Sequence, residues 1–134
     1  MNAESKELTI VDIIQRFAVE KPSALAVRYL SGDGRDGDEQ VIERSYGALE
    51  RRARAIAAHL QSRAAFGDRA ILAVSDSIAD VEAFLGCLYA GVIAVPAYPP
   101  DPSRLARTLP RLAGIADDSG AALLLTSSDL AGMF

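Results

Sequence analysis

Three short apolar runs in the second half of the chain constrain the fold most. They cover residues 69–75, 92–97 and 121–126, and none of them alternates apolar with polar side chains. A strand with one solvent-exposed face alternates apolar and polar residues, whereas a strand of a parallel sheet is covered on both faces and is apolar throughout. Segments with helical periodicity separate the runs. The sequence therefore predicts an α/β fold with a partial, mostly parallel sheet and helices on both faces.

The first 45 residues predict a helix followed by a β-hairpin. Thr9 and Asp12 form a capping pattern, and the helix is expected to end before Pro22. Segments 24–30 and 39–44 then favour strands around a stretch rich in glycine and aspartate. The apolar positions of this first helix are Ile10, Ile13, Ile14 and Phe17.

A second predicted helix begins after Ser45, whose hydroxyl is a suitable N-cap. One apolar stripe is expected to be buried and the opposite side to be solvated. The predicted stripe is Leu49, Ala53, Ile56 and Leu60. The predicted solvated side chains are Glu50, Arg51, Arg54 and Gln61.

The third predicted helix, 77–90, carries two lines of apolar residues, so it is expected to be buried on more than one side. The line of small residues allows a neighbouring backbone to approach closely, and it consists of Ala79, Ala83, Gly86 and Ala90. The second line consists of Ile78, Val81, Leu85 and Leu88. Asp76 and Asp80 lie near the helix start, where the helix dipole favours negative charge.

The fourth predicted helix is capped by Asp101 and Pro102 and ends at Gly120. Pro110 is expected to kink it. Its predicted apolar stripe is Leu105, Leu109, Leu112 and Ala116. Residues 127–130 are expected to begin a further helix. Because no helix follows to cover the last strand, the pattern favours an interrupted domain.

Composition and charge exclude several classes of function. The net charge is −4, from 18 acidic and 14 basic side chains, and no basic run is long enough to follow a phosphate backbone, so nucleic acid is not an expected partner. A single cysteine and the lack of a signal-peptide pattern predict a cytoplasmic protein. The uncharged stretch 83–100 is not predicted to span a membrane, because Gly91 and three prolines interrupt it.

Four motifs resemble those of a known enzyme family. FLGCLYAGVIAVPA at 84–97 and SYGAL at 45–49 resemble, in the expected order, early core motifs of the adenylate-forming superfamily. YPPDP at 98–102 and RTLPRL at 107–112 resemble the fatty acyl-AMP ligases within it. The resemblance runs from the first helix to Thr126.

This resemblance implies an enzyme that converts a fatty acid and ATP to acyl-adenylate and pyrophosphate. Such enzymes then pass the acyl group to an acyl carrier protein in polyketide, lipopeptide or lipid synthesis. ATP and magnesium are implied for the longer parent enzyme. Residues 1–134 would be the truncated amino-terminal part of its AMP-binding (adenylation) domain. The alternatives are a standalone interaction or regulatory module derived from this family, and a parent that is an acyl-CoA synthetase or an amino-acid adenylation domain.

The chain alone is predicted to be inactive. In the family, a Ser/Thr/Gly-rich phosphate loop, later nucleotide-binding motifs and a lysine of a mobile carboxy-terminal domain serve the reaction, and no such motif occurs here. No catalytic, cofactor-binding or metal residue is therefore assigned. Five features are interpreted as structural: residues 31–34, residues 127–128, His59, Cys87 and the pair at 117–118. The expected partners are the remainder of the parent and, through an exposed sheet, a second copy of the chain.

Overall fold

The computed structural model describes residues 8–32, 37–75 and 77–134, and its elements follow the predicted order. Two compact units are formed by residues 1–51 and 52–134. The helices are α1 (Ile10–Glu20), α2 (Tyr46–Gln61), α3 (Ile78–Ala90) and α4 (Leu105–Ser119). The strands are β1 (Leu25–Ser31), β2 (Gln40–Ser45), β3 (Arg69–Ala73), β4 (Ile93–Pro96) and β5 (Leu123–Thr126). Two short 3-10 helices cover Pro102–Arg104 and Ala131–Met133.

The first unit contains the predicted helix and hairpin. Thr9 caps α1, because its Oγ1 accepts a hydrogen bond from the Asp12 N–H at 3.2 Å and the Asp12 Oδ2 accepts one from the Thr9 N–H at 3.0 Å. Strands β1 and β2 pair antiparallel, and Arg28 lies opposite Glu43 with Nε 2.9 Å from Oε1. The hairpin is confirmed. Part of its predicted tip, residues 33–36, lies outside the described residues.

The second unit is built on a parallel sheet with strand order β4-β3-β5. Alternate residues of the central strand point to opposite faces. Ala70 and Leu72 pack with residues of α2 and α3, while Ile71 and Ala73 pack with Leu112 of α4. The prediction of a parallel sheet with helices on both faces is confirmed.

The buried side of α2 follows most of the predicted stripe and extends beyond it. Leu49, Ala53 and Leu60 are buried as predicted, Ile56 is half-buried, and Glu50 and Ala57 are buried as well. The expectation that Glu50 lies on the solvated side was therefore wrong. Glu50 shares the helical face of Ala53 and Ala57, because residues three or four apart lie on the same side of a helix.

Both lines of α3 also need correction. Ala79 and Val81 are exposed, whereas Glu82, assigned to neither line, is buried with its Oε1 3.7 Å from Arg52 Nε. The expectation that α3 is buried on more than one side is nevertheless confirmed, because Ile78, Leu85 and Cys87 are buried as well as Ala83, Gly86 and Ala90. Asp80 lies in the first turn as expected, and Asp76 falls outside the described residues.

In α4 only the carboxy-terminal half of the predicted stripe meets the sheet. Leu112 is buried and Ala116 packs beside it, but Leu105 and Leu109 are each 36% exposed. The helix runs without a break through Pro110, and a kink there stays a prediction. The expected helix at 127–130 was wrong, because these residues form a turn that leads into the 3-10 helix Ala131–Met133.

Candidate functional site

A cavity of about 620 Å³ lies at the carboxyl ends of β3 and β4. The chain leaves β3 through α3 towards β4 and returns through α4 to β5, on the other side of β3. The strand order thus reverses at β3, and in open α/β sheets such a reversal is where ligands bind, outside the carboxyl ends of the strands. The volume also lies in the usual range for small-molecule sites, about 300–1,000 Å³. This cavity is the candidate site.

A side-chain hydrogen bond ties two strands together beside the cavity. Thr126, the last residue of β5, donates from Oγ1 to the carbonyl oxygen of Ala73, the last residue of β3, at 2.9 Å. Beyond this bond, the Ser127 hydroxyl is buried and has no hydrogen-bond partner among the described residues. The hydrogen bond between Thr126 and Ala73 holds the adjoining ends of β3 and β5 together.

The segment after β4 shapes the rim of the cavity. Tyr98 and Pro99 line it, and the chain then turns at Asp101 into the 3-10 helix and α4. Asp101 Oδ1 accepts hydrogen bonds from the Ser103 hydroxyl at 2.7 Å and the Ser103 N–H at 2.9 Å. These bonds lower the pKa of the Asp101 carboxyl, since they favour its charged form. The Asp101 N–H donates to Thr108 Oγ1 at 3.0 Å, which fixes the turn from its other side.

Two charged residues give the cavity its polar character. Arg111 of α4 lines it with its guanidinium 5.6 Å from the ring centroid of Tyr98, within the range of a cation–π contact. Asp80 lines it from the first turn of α3. The remaining lining is mostly apolar: Leu72, Val74, Pro96, Ala97, Pro99 and Ile115. Such a cavity suits a ligand with an apolar body and a polar end.

Sequence reasoning assigned no residue to this cavity. The members lie on separate elements, and no local spacing brings Asp80, Tyr98 and Arg111 together. The signal that was available lay in the two motifs YPPDP and RTLPRL, because Tyr98, Pro99 and Arg111 belong to them.

None of the described residues interpreted as structural lines the cavity. His59 is exposed on α2, and its Nδ1 lies 3.1 Å from Arg63 Nη1. Within 8–32, 37–75 and 77–134, no group of three His, Cys, Asp or Glu side chains is placed to hold a metal ion. Asp117 and Asp118 are exposed, but they lie inside the last turns of α4 rather than in a turn after it. Of residues 31–34, two fall outside the described part of the chain.

Cys87 of α3 is fully buried in the core that α2, β3 and α3 share. Burial raises the pKa of its thiol from 9.0 to about 11, because the thiolate would lose its hydration. A thiolate is the reactive form of cysteine, so this environment suits an inert packed side chain.

The chain matches the AMP-binding enzyme family over residues 14–133. It belongs to that family. Among curated relatives of this chain, the medium-chain-fatty-acid–[acyl-carrier-protein] ligase JamA of Moorena producens is 41% identical over 118 residues, which are 88% of this chain and 19% of the relative. Human disco-interacting protein 2 homolog B is 35% identical over 127 residues, 93% of this chain and 8% of the relative.

A solved structure of a fatty acyl-adenylate ligase is similar to this chain over nearly its whole length. The fatty acyl-adenylate ligase of L. pneumophila, in complex with acyl adenylate and pyrophosphate, superposes with a TM-score of 0.83 at 32% identity. The match covers 96% of this chain and 21% of that structure. The resemblance to fatty acyl-AMP ligases is confirmed, and the chain spans about one fifth of the length of the fatty-acid ligases it matches.

The structure also addresses the uncharged stretch 83–100. It forms the end of α3, the strand β4 and the rim segment after it. Across the described parts of the chain, every helix falls short of the length and apolarity that a bilayer crossing needs.

Proposed function

We propose that this chain is the truncated amino-terminal part of the AMP-binding domain of a fatty acyl-AMP ligase, an enzyme that joins a fatty acid to ATP's AMP moiety and releases pyrophosphate. The observation that supports this most is the 41% identity to a fatty-acid ligase over 118 residues. That span takes in 88% of the chain. The likeness to a structure with acyl adenylate and pyrophosphate agrees with the same reaction.

In this proposal the chain supplies scaffold and one wall of a site. The parallel sheet fixes the carboxyl-end cavity, while the groups that stabilise charge between the carboxylate and the α-phosphate belong to the longer protein. None of the 134 residues is assigned a catalytic, nucleotide-binding or metal-binding role. The isolated chain is accordingly proposed to be inactive.

The proposed parent uses ATP and magnesium and passes its acyl group to an acyl carrier protein in the cytoplasm. Among the described residues no group of three His, Cys, Asp or Glu side chains is placed to hold a metal ion, and none of them is assigned to magnesium. No step is therefore assigned to magnesium here. When the rest of the parent is absent, we expect the isolated chain to self-associate through the exposed edge of its sheet.

A second candidate function is an interaction module that keeps the fold without the chemistry. The observation that favours it is the match to disco-interacting protein 2 homolog B, a relative named for an interaction. The chain covers 8% of that protein, compared with 19% of the fatty-acid ligase. Its sequence identity is 35% to that protein and 41% to the ligase. The ligase is the better supported of the two.

Pyrophosphate release tests the proposal. The longer protein that contains this chain should release pyrophosphate when given ATP, magnesium and a fatty acid, but not when an amino acid replaces the fatty acid. The isolated 134-residue chain should show no turnover above a heat-denatured sample. Turnover by the isolated chain would overturn the scaffold role, and amino-acid-dependent release by the longer protein would overturn the fatty-acid assignment.

A further inference from the structure

The amino-terminal half of α4 carries three exposed arginines. Arg107 and Arg111 lie one turn apart on the same side of the helix, and Arg104 lies at its N-cap, three residues before Arg107. Between positions 102 and 116 the sequence contains no acidic residue, although acidic side chains outnumber basic ones in the whole chain by 18 to 14. We refer to these three side chains as the arginine line.

The charges of α4 are arranged against the stability of the helix. The helix dipole favours acidic side chains in the first turn and basic ones in the last turn. In α4 the first turn has no acidic residue and the last turn has no basic one, and Asp117 and Asp118 lie near the carboxyl end instead. Arg107 and Arg111 are also a like-charge pair four residues apart, which destabilises a helix. A solvated helix face accounts for exposed arginines but not for this order of charges. Departures from local stability rules are expected at functional sites, so the order indicates a binding role.

The arginine line leads to the candidate site. Arg111 lines the cavity, with its guanidinium 5.6 Å from the ring centroid of Tyr98. Seven residues separate Arg104 from Arg111, which is about 10 Å along a helix. Asp101 is the acidic residue nearest to the line in the sequence, and its carboxylate accepts two hydrogen bonds from Ser103. A partner seated on the arginine line would therefore lie beside the mouth of the cavity.

The length and the charge of the line indicate the kind of partner. One or two arginines are enough to bind a single phosphate or carboxylate group. A line of about 10 Å instead matches about two turns of a helix that carries several carboxylates. Patches of opposite charge steer two proteins together and set their orientation. The proposed function supplies one protein partner, the acyl carrier protein, and a curated relative is named as a ligase for such a protein.

We propose that the arginine line is the docking surface for an acyl carrier protein, which presents an acidic helix to Arg104 and Arg107. The docked carrier protein lies beside the cavity, where it takes up the acyl group after the fatty acid has been adenylated. Arg104 and Arg107 take no part in forming the acyl-adenylate, since neither of them lines the cavity. The inference rests on the proposed function, because it takes its partner from it.

Charge reversal tests the docking in the longer protein that contains this chain. That protein is titrated into a fluorescently labelled acyl carrier protein from the same organism, so that binding is measured without turnover. Arg104→Glu and Arg107→Glu should each raise the Kd about tenfold, because a carboxylate would then face the acidic partner. Arg107→Lys keeps the positive charge and should retain most of the affinity. Pyrophosphate release with ATP and a fatty acid should be the same in all these variants.

The same substitutions separate docking from a structural role. Each places a carboxylate near the start of α4, where the helix dipole favours it, so the melting temperature should not fall. Arg51→Glu is the matched control, because Arg51 is exposed on α2 and its reversal should leave the Kd unchanged. Added salt should weaken binding to the natural protein more than binding to the Arg107→Glu variant, because salt screens exposed charges.

Several results would overturn the proposal. They are a natural protein that binds no carrier protein, carrier binding that is unchanged in both glutamate variants, and an equal loss of binding in Arg51→Glu. Vesicles of anionic phospholipid serve as a second probe. If the glutamate variants lose vesicle binding and keep carrier binding, the line serves a membrane surface instead. A natural protein that releases no pyrophosphate with a fatty acid would refute the proposed function, whereas the binding titration would still decide the docking.

Discussion

Gly86 of α3 faces Ile56 of α2 so closely that no side chain fits between them. A Cβ atom placed on Gly86 would lie 2.4 Å from Ile56 Cγ2 and 2.7 Å from Ile56 Cβ. The Ala53 carbonyl oxygen would be 3.6 Å away. The close approach that the small-residue line predicted is therefore present at Gly86, and it brings α2 against α3 above the buried face of the sheet.

Gly86→Ala should destabilise the chain. The added methyl group forces Ile56 or the helix to move, and overpacking of this kind costs about 1–3 kcal/mol. Gly114→Ala is the matched control, because Gly114 lies inside α4 with nothing within 4 Å of the added atom. That variant should be stabilised by up to about 1 kcal/mol, the difference in helix propensity. Urea unfolding measures both, and equal effects of the two substitutions would contradict the packing described.

Thr126→Val should lower the free energy of unfolding by about 1 kcal/mol. The substitution keeps the shape of the side chain but removes the hydroxyl that donates to the Ala73 carbonyl oxygen. The net contribution of one such hydrogen bond to stability is about 0.5–1.5 kcal/mol. Thr126→Ser keeps the donor and should retain more of the stability. If urea unfolding shows serine to be the worse replacement, the bond between the strand ends contributes little.

Cys87 should resist thiol reagents in the native state and should make stability fall at high pH. Its pKa is about 11 in the folded chain against 9.0 when exposed, so the contribution of the neutral thiol is complete below pH 9 and is lost as the pH rises towards 11. At about 1.4 kcal/mol per pKa unit, this loss is on the order of 2–3 kcal/mol. Urea unfolding between pH 8 and about 11 measures it.

Cys87→Ala is the control for that pH dependence, because alanine has no proton to lose. The variant should show a smaller fall in stability over the same pH range. A slope identical to that of the natural chain would mean that the thiol is not the group responsible. Rapid labelling by a disulfide reagent without denaturant would contradict the burial of Cys87 directly.

Asp101→Ala should lower the melting temperature more than Asp101→Asn does. Asparagine keeps an oxygen that accepts the Ser103 N–H, whereas alanine leaves the start of the 3-10 helix uncapped. Because the pKa of Asp101 is lowered, its contribution is present above 3.8 and is lost as the pH falls below that value. Thermal melts at pH 7 and pH 3 measure this. If the melting temperatures of the natural chain and the Asn variant differ by as much at pH 3 as at pH 7, the charge of Asp101 does not have this role.

Local sequence patterns predicted the helices and strands well. The features that they did not predict depend on tertiary packing. The cap at Thr9 and the end of α4 at Gly120 depend on neighbours a few residues away, so both were predicted from the sequence. Glu50 is buried, although its charge favoured a place on the solvated side of α2. Helix propensity at 127–130 was overridden by a turn and a shorter 3-10 helix.

The candidate site was harder to predict than the fold. Tyr98 follows β4 and Arg111 lies in the second turn of α4, so their 5.6 Å approach depends on where α4 crosses the sheet. The spacing of apolar residues along the sequence does not predict where α4 crosses the sheet. The motifs around both residues could have drawn attention to them, but only the fold places them in one cavity with Asp80.

The most direct test of the assignment is mass spectrometry of the product made by the longer protein that contains this chain. The protein is incubated with ATP, magnesium and a fatty acid, with and without coenzyme A. A fatty acyl-AMP ligase is predicted to yield acyl-adenylate in both reactions and no acyl-CoA in either. Conversion of the fatty acid to acyl-CoA when coenzyme A is added would instead identify an acyl-CoA synthetase and contradict the account.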